Sequence, residues 1–350
     1  MQTCNISENN LGIKLKKYDR ENKHYILTYF NSKYGQILTI RRTSGNAQPK
    51  LNVGDLCEIP IPILSKHFHH QISLIILKAR EISLKSKEIY RAAESFLLNE
   101  LSLNNWQPTQ ANTEIKSFKN SFVQSGRLDA EYYQPKYDVL TAKIQQAEHY
   151  KLSELIKIKK SIEPGSAAYL ESGIPFIRVA NLSKFGLTEP DIHLSVTNLK
   201  DIEDLFPKKD TILLSKDGSI GIAYKVEEDL KAITSGAILH LTVKSEKVIP
   251  DYLTLVLNSV LTQLQAERDA GGSIIQHWRI GEIENVLIPI MQLHKQQKIA
   301  EFIQQSFSLK KQSEQLLQTA KQAVEMAIEE GEEKAMEFIK IRNAPFGASG

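Results

Sequence analysis

KHFHHQISLIILKAREISLKSKEIYRAAESFLLNELSL, residues 66–103, is the stretch from which the architecture is read. Its apolar positions Ile72, Ile75, Ile76, Ala79, Ile82, Ile89, Ala93, Phe96 and Leu97 fall at helical spacing, and neither Pro nor Gly interrupts them. Pro62 lies shortly before the start, and Pro108 follows the end. The run predicts one helix of roughly 55 Å, at about 1.5 Å per residue. Residues 292–340 carry a second stripe: Ile299, Phe302, Ile303, Leu309, Leu316, Leu317, Val324 and Ile328. Neither helix can bury such a seam alone, so two of them in one chain are expected to pair; the alternative is that each packs on a globular domain.

Outward from the first helix, the sequence repeats itself at an offset of 227 residues without a gap. Tyr25-Ile26 through Asn31-Ser32 lies over Tyr252-Leu253 through Asn258-Ser259. Gly45 lies over Gly272, Gly54-Asp55-Leu56 over Gly281-Glu282-Ile283, Ile61-Pro62-Ile63 over Ile288-Pro289-Ile290, and His67 over His294. Ile72, Ile76, Ile82 and Ile89 then stay in step with Ile299, Ile303, Leu309 and Leu316. A duplication is expected from about residue 25 to about residue 98. The second copy is preceded by a long section, about residues 127–250, that the first copy lacks, so residues 1–63 are expected to be the rear part of a domain whose front half is lost or lies elsewhere.

Between the helices the pattern is that of a mixed α/β domain. Ile174 to Val179, Thr211 to Ser215 and Ile238 to Val243 read as strands. Asp217-Gly218-Ser219 is a turn between the second of these and Ile220 to Val226. Asp251 to Leu264 reads as a helix with Leu253, Val256, Leu257 and Val260 on one face, and Ala270-Gly271-Gly272-Ser273 as a break after it. Residues 104–126 are polar and aperiodic, which suits a connector.

The 350 residues suggest two or three units, and 41% hydrophobic with 24% charged residues is ordinary for a soluble protein. No run approaches the ~20 apolar residues of a membrane helix, and MQTCNISENNLG has neither a basic nor an apolar leader region. Cys4 and Cys57 form no metal spacing or disulfide framework, which fits a reduced cytoplasm. The net charge of +3 is not that of a strongly basic nucleic-acid binder. Residues 1–103 hold 15 Lys and Arg against 9 Asp and Glu, and residues 127–300 hold 21 against 23. Any nucleic-acid contact in the second section needs local clusters rather than a general field.

The catalytic motifs sought are not visible. No Asn/Asp-Pro-Pro-aromatic segment is available to hold an adenine amine, and no glycine-rich loop joins a strand to a helix as S-adenosylmethionine would need. Lys216-Asp217-Gly218-Ser219-Ile220-Gly221 reads as a hairpin turn whose N–H groups can also cradle a phosphate. The spacing of His67, His69 and His70 matches no common metal site. Glu332-Glu333-Lys334 lacks the acidic partner at a strand end that a nuclease would need.

The chain resembles the specificity subunits of type I restriction–modification systems. The resemblance runs from about residue 25 to residue 340. It is carried by NNWQP at Asn104, RLDAEYYQPKY at Arg127, GIPFIRVANL at Gly173, DTILLSKDGSIGIA at Asp210, IPDYL at Ile249 and IPIMQLHKQQKIAEFI at Ile288, together with the tandem repeat. It implies an α+β fold in which target recognition domains are joined by two long helices pairing as an antiparallel coiled coil. Mapped on this chain, that is the C-terminal part of a first recognition domain at residues 1–63, a spacer helix at 64–103, a connector at 104–126, a complete second recognition domain at 127–290, a second spacer helix at 291–340 and a tail at 341–350. It also implies a subunit that is not itself an enzyme. Its partners would be double-stranded DNA, methyltransferase subunits that carry the S-adenosylmethionine, and a restriction–translocase subunit. The layout helix, complete domain, helix resembles half-length members that self-associate.

For reading DNA, side chains able to meet base edges or phosphates matter. The candidates are Arg178, Asn181 and Lys184 at the end of the first strand, Lys216 and Ser219 at the turn, and Gln276, His277 and Arg279 after the Gly-Gly break. Trp278 is expected in the core. No metal and no cofactor of its own are expected. Two rivals stand beside this reading: a remnant whose helices bind a methyltransferase without recognising DNA, and a methyltransferase or nuclease fragment.

Overall fold

The structure is a computed structural model that describes residues 10–16, 22–45, 49–104, 106–111, 113–195, 202–271 and 276–343. The helices in chain order are α1 (Lys23–Asn31), α2 (Lys33–Arg41), α3 (Val53–Cys57), α4 (Lys66–Glu100), α5 (Phe122–Ser125), α6 (Pro135–Gln145), α7 (Leu152–Leu155), α8 (Pro250–Asn258), α9 (Val260–Asp269), α10 (Ile280–Glu284), α11 (Leu293–Glu329) and α12 (Glu332–Asn343). The strands are β1 (His149–Lys151), β2 (Ile156–Lys160), β3 (Tyr169–Leu170), β4 (Ile174–Ile177), β5 (Leu182–Ser183), β6 (Gly186–Leu187), β7 (His193–Leu194), β8 (Ile212–Ser215), β9 (Ala223–Lys225), β10 (Ile233–Thr234), β11 (Ile238–Val243) and β12 (Leu287–Pro289). The chain divides into two compact units, one of residues 1–88 with 305–350 and one of residues 89–304. The expected α+β class with two long helices is what is found.

In the first unit the apolar stripes of α4 and α11 meet. Phe68, Ile72, Ile75 and Ala79 pack with Leu316, Ala320, Ala323, Val324 and Ala327, all buried. The alanines let the backbones approach closely, and serine hydroxyls bridge them. Ser313 Oγ donates to the Ala79 carbonyl at 2.8 Å, and Ser86 Oγ to the Ser306 carbonyl at 2.8 Å. As position rises along α4 it falls along α11, so the pair is antiparallel. The 227-residue offset carries Ala79 onto Ser306 and Ser86 onto Ser313, so the two bridges exchange under a local pseudo-twofold. Ser86 is 5% exposed, so Ser86→Leu overfills the seam and should cost about 1–3 kcal/mol, read as a lowered melting temperature.

α11 is shorter than the stripe suggests. Gly331 takes φ +96, in the left-handed region, and a new helix, α12, begins at Glu332. Ser65 caps this corner by donating both its backbone N–H and its hydroxyl to the Glu332 carboxylate. The duplication is visible in hydrogen bonds as well as in sequence. The Tyr25 hydroxyl donates to the Pro62 carbonyl at 2.7 Å in the first unit, and its counterpart Tyr252 donates to Pro289 at 2.7 Å in the second.

The second unit is built on two four-stranded sheets, ordered β2-β11-β8-β9 and β10-β4-β7-β3. The first is antiparallel throughout; in the second only β10 and β4 run parallel. β8 and the first four residues of β11 are buried, as their largely apolar runs require. The predicted helix from Asp251 is two helices. Ser259, at ψ 165, is extended, and its hydroxyl returns to the Val256 carbonyl at 2.7 Å. β1 pairs with β12, which brings the two ends of the domain together.

His240 lies inside this unit, 5% exposed, with Nε2 2.8 Å from the Thr234 hydroxyl. Burial, helped by Lys159, lowers its pKa to about 4. The unfolded chain takes up this proton near 6.5 and the folded chain only near 4, so stability falls as pH drops through that window, by about 1.4 kcal/mol per unit. Denaturant titration at pH 7 and pH 5 should show a loss of about 2 kcal/mol that His240→Gln removes.

Candidate nucleic-acid interface

The turn after β8 and the segment before α10 are held side by side. Lys216 N–H donates to the Ala237 carbonyl at 2.8 Å, and the Lys216 carbonyl accepts from Trp278 N–H at 2.8 Å. Gly218 N–H donates to the Gln276 carbonyl at 2.9 Å, and His277 exchanges two backbone bonds with Gly271. Gly218 and Gly221 take φ +74 and +75, which only glycine adopts cheaply, and they fold the turn back over Ser215. The Ser215 hydroxyl donates to the Ser219 carbonyl at 2.6 Å. The expected break after α9 lies, from residue 272 to residue 275, outside the described residues.

Five of the eight candidates meet here: Lys216, Ser219, Gln276, His277 and Arg279. Ser219, Gln276, His277 and Arg279 are exposed, while Lys216 is half-buried. Asp217 organises them: its carboxylate pairs with Lys216 Nζ and lies 2.8 Å from His277 Nδ1. Arg279 leaves its guanidinium free of any described ion pair, and its backbone N–H is capped by Glu282 at 3.0 Å. Trp278 is in the core at 1% exposure and anchors this segment from beneath. The result is a surface of two exposed and one half-buried basic or titratable groups, an amide and a hydroxyl on a rigid support. Such a set can meet phosphates and base edges.

The other three candidates are differently placed. Arg178 follows β4, donating to Asp191 at 2.9 Å, with a buried Nε that lacks a partner. β4 joins the cluster through the backbone, since Ser235 N–H bonds the Ile177 carbonyl, two residues before the bond from Lys216 to Ala237. Asn181 is 8% exposed and folds its own loop, accepting from Arg178 N–H at 3.0 Å and donating to Thr188 at 3.3 Å. Lys184 donates to Glu94 of α4 at 2.8 Å and lies over the Tyr90 ring at 4.7 Å. Both have packing work within the unit. Asp217 was missed as a site residue, although Asp217-Gly218 was legible as a turn.

Of the three histidines, His69 stacks on Tyr25 with ring centroids 4.1 Å apart, and its Nδ1 lies 2.9 Å from Asn22 Oδ1. Among the described residues no group of three or more His, Cys, Asp or Glu is placed to hold a metal ion. Among the same residues no helix is long and apolar enough to cross a membrane.

Comparison with known proteins gives one family: the type I restriction modification DNA specificity domain, whose model matches residues 145–321. No curated protein matches the chain. Among solved structures, the type I restriction-modification system S subunit from M. genitalium is 14% identical and aligns over 91% of this chain and 72% of its own, with a TM-score of 0.39. The HsdS subunit from Thermoanaerobacter tengcongensis is 14% identical over 88% of this chain and 70% of its own, with a TM-score of 0.36.

Proposed function

The chain belongs to the family of type I restriction modification DNA specificity domains, and from that premise we propose that it is the sequence-reading, non-catalytic subunit of a type I restriction–modification complex in the cytoplasm. The observation that carries the proposal is the group of exposed Ser219, Gln276, His277 and Arg279 with half-buried Lys216, gathered within the matched region. Residues 127–290 act as one complete recognition domain, with Arg178 flanking the reading edge. The helices within 64–103 and 291–340 act as the spacer, and residues 1–63 as the rear part of a first recognition domain.

Reading works by differential binding. Correct bases complete hydrogen bonds in the major groove, while a wrong base leaves groups unpaired at about 1–3 kcal/mol each. Lys216 holds a phosphate and sets the register without reading sequence. Methyltransferase subunits dock on the helical scaffold, bring the S-adenosylmethionine and take the target adenine out of the stack. A restriction–translocase subunit completes the assembly.

The test is co-purification with the neighbouring methyltransferase subunit, followed by mapping of N6-methyladenine in DNA from expressing cells. One methylated motif is the expected result, and a symmetric split motif would add self-association of half-readers. A stable complex that methylates nothing would sink the recognition role, and no complex would sink the assembly.

A further inference from the structure

α1 and α2 repeat α8 and α9, and the copies keep the same amides. Asn31 and Asn258 each donate to the carbonyl four residues back, Leu27 at 2.8 Å and Thr254 at 3.0 Å. Gln36 and Gln263 each donate to the carbonyl six residues back, Phe30 at 2.6 Å and Leu257 at 3.0 Å. In the second unit both amides also reach outward. Asn258 accepts the N–H of Ala223 at 3.1 Å and donates to its carbonyl at 2.8 Å, and Gln263 donates to the Gly221 carbonyl at 2.8 Å. These bonds seat β9 on the helix pair. Gly221 takes φ +75, which side chains rarely adopt, and a Cβ there would also stand 2.8 Å from the Gln263 amide, so the strand enters through glycine. α6 closes the other side, where Lys136 meets Glu267 at 2.6 Å. Under this cover Leu264 is 7% exposed.

In the first unit Asn31 and Gln36 are exposed, and among the described residues their amides bond only within the helix pair. Ile37, the counterpart of Leu264, is 61% exposed; Ile40, the counterpart of Glu267, is 67% exposed, and Leu27 is 55% exposed. A helix face that keeps its strand-clamping amides and an apolar centre is built to be covered by a strand.

We propose that the α1–α2 face is the docking surface for a sheet-bearing segment built like residues 127–248, the front half of a recognition domain. The docking strand enters through a left-handed glycine, as at Gly221, and offers the N–H and C=O of a small residue two positions on, as at Ala223. Asn31 takes that pair and Gln36 takes the glycine carbonyl. Because Ile40 stands where Glu267 meets Lys136, the partner's covering helix carries an apolar residue at the Lys136 position. The inference rests on the duplication and is independent of how DNA is read.

The probe is residues 127–248 of this protein carrying Lys136→Leu, co-expressed with the intact chain. Side-chain footprinting by mass spectrometry should show a one-to-one complex in which labelling of Ile37 falls about ninefold, the ratio of its exposure to that of Leu264. Asn31→Ala with Gln36→Ala in the intact chain should weaken the complex about tenfold or more. Binding that leaves Ile37 labelled, or that ignores the two alanines, overturns the proposal. If the separate probe does not bind, joining its Val248 to Asn22, as Val248 joins Ile249 in the second unit, raises its effective concentration. Unchanged labelling of Ile37 in that fusion overturns the proposal, as does protection of Ile37 by dimerisation of the chain alone.

Discussion

Replacing Lys216, His277 and Arg279 together by alanine is expected to weaken binding to the chain's own DNA motif by about 10²–10³-fold, with the fold intact. Lys216 and Arg279 contribute in different ways. A phosphate contact by Lys216 adds about 0.9 to the slope of log affinity against log salt, whatever the sequence. Arg279 can meet a guanine edge with two bonds, worth about 1–3 kcal/mol, and its loss should relax specificity at one position. The stability cost is small because the His277 side chain is 62% exposed and surface ion pairs contribute roughly 0–1 kcal/mol. Asp217→Asn is the control of opposite sign, since removing a carboxylate from a phosphate-facing cluster should strengthen non-specific binding. Titrations of labelled duplexes at several salt concentrations, with the assembled complex, separate the two effects. An unchanged salt slope and an unchanged motif preference in the triple variant would remove this edge from the DNA interface.

Trp278→Ala is expected to cost about 3–5 kcal/mol, as for other buried aromatics cut to alanine. Trp278 is among the largest fully buried side chains, and it lies beneath a segment whose backbone N–H, at the same residue, bonds the Lys216 carbonyl at 2.8 Å. The melting temperature should fall by roughly 10 °C, at about 2–4 °C per kcal/mol for a domain of this size. DNA recognition should fail at temperatures where the fold survives, because the segment carrying Gln276, His277 and Arg279 loses its floor. The indole N–H has no hydrogen-bond partner, so Trp278→Phe gives up packing volume alone and should retain much of both stability and recognition. A phenylalanine variant as damaged as the alanine one would contradict this account of the floor.

The two long helices, their pairing and the duplication were legible because each rests on a periodicity spread over many residues. Single residues override what periodicity alone implies. A helix across Asp251 to Leu264 fits its apolar spacing, yet Ser259 breaks it, since its hydroxyl and extended backbone serve the local turn better than another helical bond does. The second helix was expected across residues 292–340, but Gly331 bends the chain and Ile339 enters the core from a separate helix. Lys184 and Arg279 look alike as cations in a loop. Only the distances show that one is held by Glu94 on α4 while the other has no ion pair among the described residues.

The sequence by itself determined the elements whose physics is local and repeated: amphipathic helices, alternating or wholly apolar strands, a glycine turn and the tandem copy. Tertiary structure alone decided which polar side chains are spent inside the fold and which are left to meet a partner. Asn181 and Ser219 are both small polar loop residues, but one is buried in its own turn and the other stands exposed. Asn31 and Asn258 occupy the same place in the repeat and differ only in whether a strand lies against them. Such outcomes depend on contacts between residues tens or hundreds of positions apart, and no local pattern carries them.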